Sequence, residues 1–106
     1  MTAAWIFPLA ALAEIGGCFA AWAVLRNGAH PAWLAASAAA LAAFAWLLTL
    51  APPDVAGRAF AAYGGVYVAA ALVWAVLAEG TRLTATDVLG ASLCLLGAAV
   101  ITWGAR

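Results

Sequence analysis

One acidic residue, Glu14, stands in the apolar stretch "ALAEIGGCFAAW" (residues 11–22), with no Lys, Arg or His within ten residues on either side. If that stretch crosses a membrane, its carboxylate lies well inside the bilayer. There an acidic group costs about 2.5–3.5 kcal/mol on insertion scales, and such groups mark proton relays and ion pathways. The chemistry on offer is proton exchange or the binding of a cation. At about 100° per residue, Phe7, Ala10, Ala11, Gly17, Cys18 and Ala21 share the helical face of Glu14, while Leu9, Leu12 and Phe19 lie opposite. Small neighbours either let another helix approach or leave room for a ligand. Both place Glu14 inside the assembly. The alternative is a structural carboxylate, hydrogen-bonded across a helix interface.

A second constellation lies in "AFAAYGGVYVAAALVW" (residues 59–74). Phe60, Tyr63, Tyr67 and Trp74 fall within about 60° of one another on one helical face. Aromatic faces attract organic cations, more strongly where water is excluded. A carboxylate facing an aromatic wall would suit a hydrophobic cation; packing or lipid-facing aromatics are the plainer reading. Gly64 and Gly65 in the same helix permit a kink or a close crossing. Farther on, Gly90, Cys94 and Gly97 share one face, flanked by Leu93 and Ile101, and make a seam for close helix packing. Their spacing does not say whether the seam is intramolecular or between protomers.

The elements that position these residues follow from composition. Of 106 residues 70% are hydrophobic and 8% charged, against roughly 25% charged in a soluble domain. The mean hydropathy is +1.12. Too few charges remain to clothe a surface in water, so the chain reads as an all-α integral membrane protein of one domain (1–106). Apolar runs at 3–25, 31–51, 59–78 and 85–104 each approach the roughly 20 residues a transmembrane helix needs. "RNGAHP", "APPDVAGR" and "EGTRLTATD" separate them. Pro31 suits a first helical turn, Pro52-Pro53 stops a helix, and Thr84 with Asp87 resembles a capping box. Connections this short make neighbouring helices antiparallel and put both termini on one side.

The N-terminus has no basic segment, so a cleaved signal peptide is not expected. Trp5, Trp33 and Trp103 lie near span ends, where an aromatic belt forms; Trp46 and Trp74 lie deeper. Asp54 with Arg58, and Glu79, Arg82 and Asp87, read as solvated loop charges, and His30 as a loop residue. Cys18 and Cys94 read as small packing residues rather than a disulfide or metal pair. No Ser-His-Asp set, phosphate loop or metal-type spacing is present, so neither an enzyme nor a bound metal or cofactor is expected. Four Arg balance four acidic residues, which argues against nucleic acid as a partner. Arg26 and Arg82 fall on one side of the membrane, and Arg58 and Arg106 on the other. The positive-inside rule therefore selects no orientation. Either the count is too small to decide, or the chain inserts both ways and forms an antiparallel dimer.

"LAEIGGCF", "GRAFAAYGGVYV" and "EGTRLTATDVLGA" together resemble the YnfA-type family of small bacterial membrane proteins, over nearly the whole chain. That family is similar in turn to the small multidrug resistance transporters of the drug/metabolite superfamily. Their first-helix glutamate, third-helix "GVG"-like kink and fourth-helix Gly-x6-Gly seam match Glu14, Gly64-Gly65-Val66, and Gly90 with Gly97. The resemblance implies a multi-pass protein of the bacterial inner membrane, working as a proton-driven exporter and a homodimer, usually antiparallel. Two Glu14 carboxylates would form the shared site and the fourth helices the dimer seam. Tyr63 replaces the transporters' third-helix tryptophan, Trp22 a basic residue and Ala40 a second-helix tyrosine, departures that bear on substrate range. Three readings follow: a proton-coupled exporter of organic cations, a membrane interaction protein in which Glu14 and the glycine seam serve assembly, and a channel or carrier of another metabolite.

Overall fold

The computed structural model describes residues 5–52 and 55–104. The start of the first expected span, Pro53, Asp54 of the pair with Arg58, and Arg106 of the loop-charge balance lie outside them. The chain is a four-helix membrane protein: α1 (Ile6–Asn27), α2 (Trp33–Leu48), α3 (Ala56–Leu77) and α4 (Ala85–Gly104). α1, α3 and α4 are long and apolar enough to cross a membrane, whereas α2 has 16 residues.

The short α2 departs from the expected 31–51, and its ends explain why. Trp33, Leu34 and Ala35 donate to His30, Pro31 and Ala32, and Thr49, Leu50 and Ala51 to Trp46, Leu47 and Leu48. These i→i+3 bonds tighten both ends into 3₁₀-type turns, which rise about 2 Å per residue. The hydrogen-bonded run from 30 to 51 thus still covers the roughly 30 Å of a hydrocarbon core. His30 takes part: its Nδ1 accepts the Ala32 N–H at 3.0 Å. Trp46 is exposed, as are Trp5, Trp33 and Trp103. At the other boundaries, α1 runs on through Arg26 and α3 begins before Arg58, because a charged residue with a long stem can lie within a helix end and reach the interface.

Two hairpins repeat one design. α1 closes on Gly28 (φ 72°) and α3 on Gly80 (φ 71°), and in each the residue after the glycine donates back six residues, Ala29 to Ala23 and Thr81 to Ala75. A left-handed glycine with that bond ends a helix sharply. α4 opens on a complete capping box: the Asp87 N–H donates to Thr84 Oγ1 at 3.1 Å, and the Thr84 N–H to Asp87 Oδ2 at 3.0 Å. Within the hairpins α1 packs on α2 and α3 on α4; α1 also packs on α3 and joins the two.

Small residues set these crossings. Gly17 of α1 sits against Leu41 and the Ser37 carbonyl of α2, where a Cβ would come within 2.9 Å of Leu41 Cγ. Gly65 of α3 lies against the Cys94 carbonyl and Ala98 of α4. Between α1 and α3 the fully buried Ala10, Ala11 and Ala62 let Phe7, Ile15 and Tyr63 close over one apolar cluster, with Leu48 from α2. The molecule measures 47 × 34 × 21 Å, so its thin dimension is about two helix diameters. A slab that thin leaves much of α2 and α4 facing outward, as exposed Leu89, Leu93, Leu96 and Val100 illustrate.

Candidate functional site

α1 and α3 run parallel, and their packing brings the lone carboxylate to the aromatic stripe. Tyr63 Oη donates to Glu14 Oε1 at 2.6 Å, from a residue 49 positions away in sequence. Glu14 is half-buried and Tyr63 buried. Phe7 and Phe44 hold the phenol from either side, with ring centroids 6.5 and 5.3 Å from that of Tyr63. The hydroxyl is therefore aimed by packing as well as by its acceptor.

Beside this pair lies a cavity of about 610 Å³, walled by Glu14, Phe44, Leu48, Phe60 and Tyr63. Thr49 and Ala56 also line it, which places its mouth at the end where α2 stops and α3 starts. A second, smaller cavity of about 250 Å³ has Cys18, Tyr67 and Trp74 in its walls, with Trp22 and Glu79 toward the opposite end of the bundle. Tyr63 belongs to the first cavity and Tyr67 to the second. Their rings are 5.9 Å apart and tilted by 51°, so the tyrosine pair stands between the two spaces.

The residues singled out by sequence divide among several tasks. Glu14, Phe60 and Tyr63 line the larger cavity, and Cys18, Tyr67 and Trp74 the smaller. Phe7 and Ala10 are buried in the core beside the pair, and Gly17 makes the α1–α2 crossing. α3 is helical without interruption through Gly64 and Gly65; Gly65 makes the close crossing with α4, and Gly64 has open space over it. Of the fourth-helix seam, Cys94 faces Gly65. A Cβ on Gly90 or Gly97 would meet nothing within 4 Å.

Other contributors carried no sequence signal. Phe44 and Leu48 come from the Ala-rich α2 and Thr49 from its C-terminal cap; the polar side chain of α2, Ser37, is buried and does not line the cavity. Phe19, opposite Glu14 on its helix, meets Trp74 edge-on at 5.3 Å. Glu79 read as a loop charge. Among the described residues no group of three or more His, Cys, Asp and Glu could hold a metal ion. The arrangement can bind a proton or a cation at one carboxylate, beside an aromatic space large enough for an organic molecule. The family model described as "Uncharacterised BCR, YnfA/UPF0060 family" matches residues 1–106. No solved structure matches the chain.

Proposed function

The chain belongs to the YnfA/UPF0060 family, and from that premise we propose that it is a proton-coupled exporter of small organic cations in the bacterial inner membrane. The observation that carries this reading is the Glu14–Tyr63 pair at the wall of the larger cavity. A protonated Glu14 meeting a cation gives up its proton to water in the cavity, and the carboxylate then holds the cation against the rings of Phe44, Phe60 and Tyr63. A proton arriving from the other side reverses the step. Coupling requires only that proton and cation exclude one another at one carboxylate. The driving force is the proton gradient, with no cofactor.

The working unit is a homodimer, in which two Glu14 carboxylates share one site. Its support is the thin slab, about two helix diameters across, and the open ground over Gly90 and Gly97, where a partner's fourth helix can approach closely. The even division of loop arginines permits an antiparallel pair, the arrangement we favour. Rocking of the two halves then exposes the site to each side in turn, as in inverted-repeat transporters. The runner-up is a membrane interaction protein, for which the same open α4 face would be the whole function.

Two measurements separate these. Purified protein in weakly buffered detergent is expected to release protons saturably when an organic cation is added, across a panel of quaternary ammonium and guanidinium compounds. A panel that releases none would sink the exporter reading and leave the interaction protein. Tyr63→Phe removes the phenol that stabilises the charged, cation-holding form of Glu14. A hydrogen bond to a charged group is worth about 1.5–3 kcal/mol. The cation concentration for half-maximal release is therefore expected to rise about tenfold or more in Tyr63→Phe, with the maximal release unchanged.

A further inference from the structure

The smaller cavity does not include Glu14, yet its walls suit a cation. Phe19, Trp22, Tyr67 and Trp74 line it, and Glu79, on the turn that follows α3, supplies a carboxylate. The edge-on contact of Phe19 with Trp74, at 5.3 Å and 62°, fixes one corner. Trp22 already attracts a cation: the Arg26 guanidinium carbon lies 4.6 Å from its ring centroid. A volume of about 250 Å³ falls just below ordinary ligand pockets of about 300–1,000 Å³, so the occupant must be small.

We propose that this cavity is a second binding site, for a small quaternary ammonium or similar organic cation, held by the rings of Tyr67 and Trp74 and neutralised by Glu79. Ring faces attract such cations through their quadrupoles, most strongly away from water. The site stands on its own residues and holds whether or not Glu14 exchanges a proton. If it does, a cation can wait at the Glu79 end while the Glu14 site is occupied by a proton.

Cys18 provides the readout, because it is exposed and lines this cavity. Cys94→Ala leaves it as the sole thiol of the chain. In that full-length protein, choline is expected to slow alkylation of Cys18 by N-ethylmaleimide saturably. Its neutral carbon isostere, 3,3-dimethylbutan-1-ol, should not do so at the same concentrations. Added Glu79→Gln should raise the half-protecting concentration about fivefold or more, while Glu14→Gln leaves it within about twofold. Calorimetric titration of Glu14→Gln, with both cysteines kept, should give the same half-saturation with choline, independent of how Cys94→Ala folds. Absence of saturable protection, equal protection by the isostere, or indifference to Glu79→Gln overturns the proposal. Protection lost in Glu14→Gln but kept in Glu79→Gln assigns the effect to the larger cavity, and also overturns it.

Discussion

Replacing Gly65 by alanine is expected to lower the stability of the folded chain by about 1–3 kcal/mol, whereas the same change at Gly64 leaves it unchanged or raises it. The two glycines are neighbours in one helix, so helix propensity and hydropathy shift equally in both variants. They differ in what a Cβ would meet. At Gly65 it runs into the backbone carbonyl of Cys94 and comes within 2.7 Å of Ala98 Cβ; at Gly64 nothing lies within 4 Å. A carbonyl inside a helix cannot rotate aside, so α3 and α4 must separate along their whole crossing. In a membrane, helix association rests on close packing rather than on exclusion of water. A gap opened at the crossing therefore has nothing to offset it. Denaturation midpoints in mixed micelles, followed by far-ultraviolet circular dichroism, measure both variants. Coincident midpoints for Gly64→Ala and Gly65→Ala would refute the close crossing.

The contrast between those glycines also locates the limit of what sequence makes legible. Four helices followed from hydropathy and from the breaks "RNGAHP", "APPDVAGR" and "EGTRLTATD", and the Thr84–Asp87 cap followed from two residue types at the right spacing. Such features are local: the residues that decide them are neighbours in the chain. The 3₁₀ ends of α2 are local too, but hydropathy cannot distinguish 3₁₀ from α geometry. Glu14 and Tyr63 each stood out, one by its charge and the other by its aromatic face. Their bond depends on α1 and α3 packing side by side through Ala10, Ala11 and Ala62, and nothing in either periodicity fixes that register. The aromatic stripe illustrates the same limit. Phe60 and Tyr63 share a wall with Glu14, while Tyr67 and Trp74, on the same helical face, belong to another cavity. A helical face has length as well as direction, and one turn along α3 is enough to pass from one space to the next. α2 contributes Phe44 and Leu48 to the site, while its polar residue, Ser37, is buried outside the cavity lining.

Changing Glu14 to glutamine is expected to abolish cation-driven proton release altogether while the fold survives. The substitution is isosteric, and a glutamine carbonyl oxygen can still accept the Tyr63 hydroxyl that now bonds Oε1 at 2.6 Å. Packing among Phe7, Phe44 and Tyr63 is thus left in place. What disappears is the ability to bind and lose a proton, which among the described residues neither Glu79 nor Asp87 can supply: they lie outside the helical middle, on the turn after α3 and in the first turn of α4. Glu14→Asp tests the same point from the other direction. It keeps the titrating group but shortens its reach by one methylene, which breaks the contact with Tyr63. Some release should persist, at a higher cation concentration than the wild type needs. Stability should move the opposite way from activity in Glu14→Gln. A carboxylate within a membrane helix costs about 2.5–3.5 kcal/mol on insertion scales, and an uncharged side chain of the same shape relieves the charged part of that cost. A protein that gains thermal stability and loses all proton release would show the carboxylate to be kept for its chemistry. One that loses stability and still releases protons would show Glu14 to be a structural residue of the α1–α3 interface, and the exporter reading would go with it.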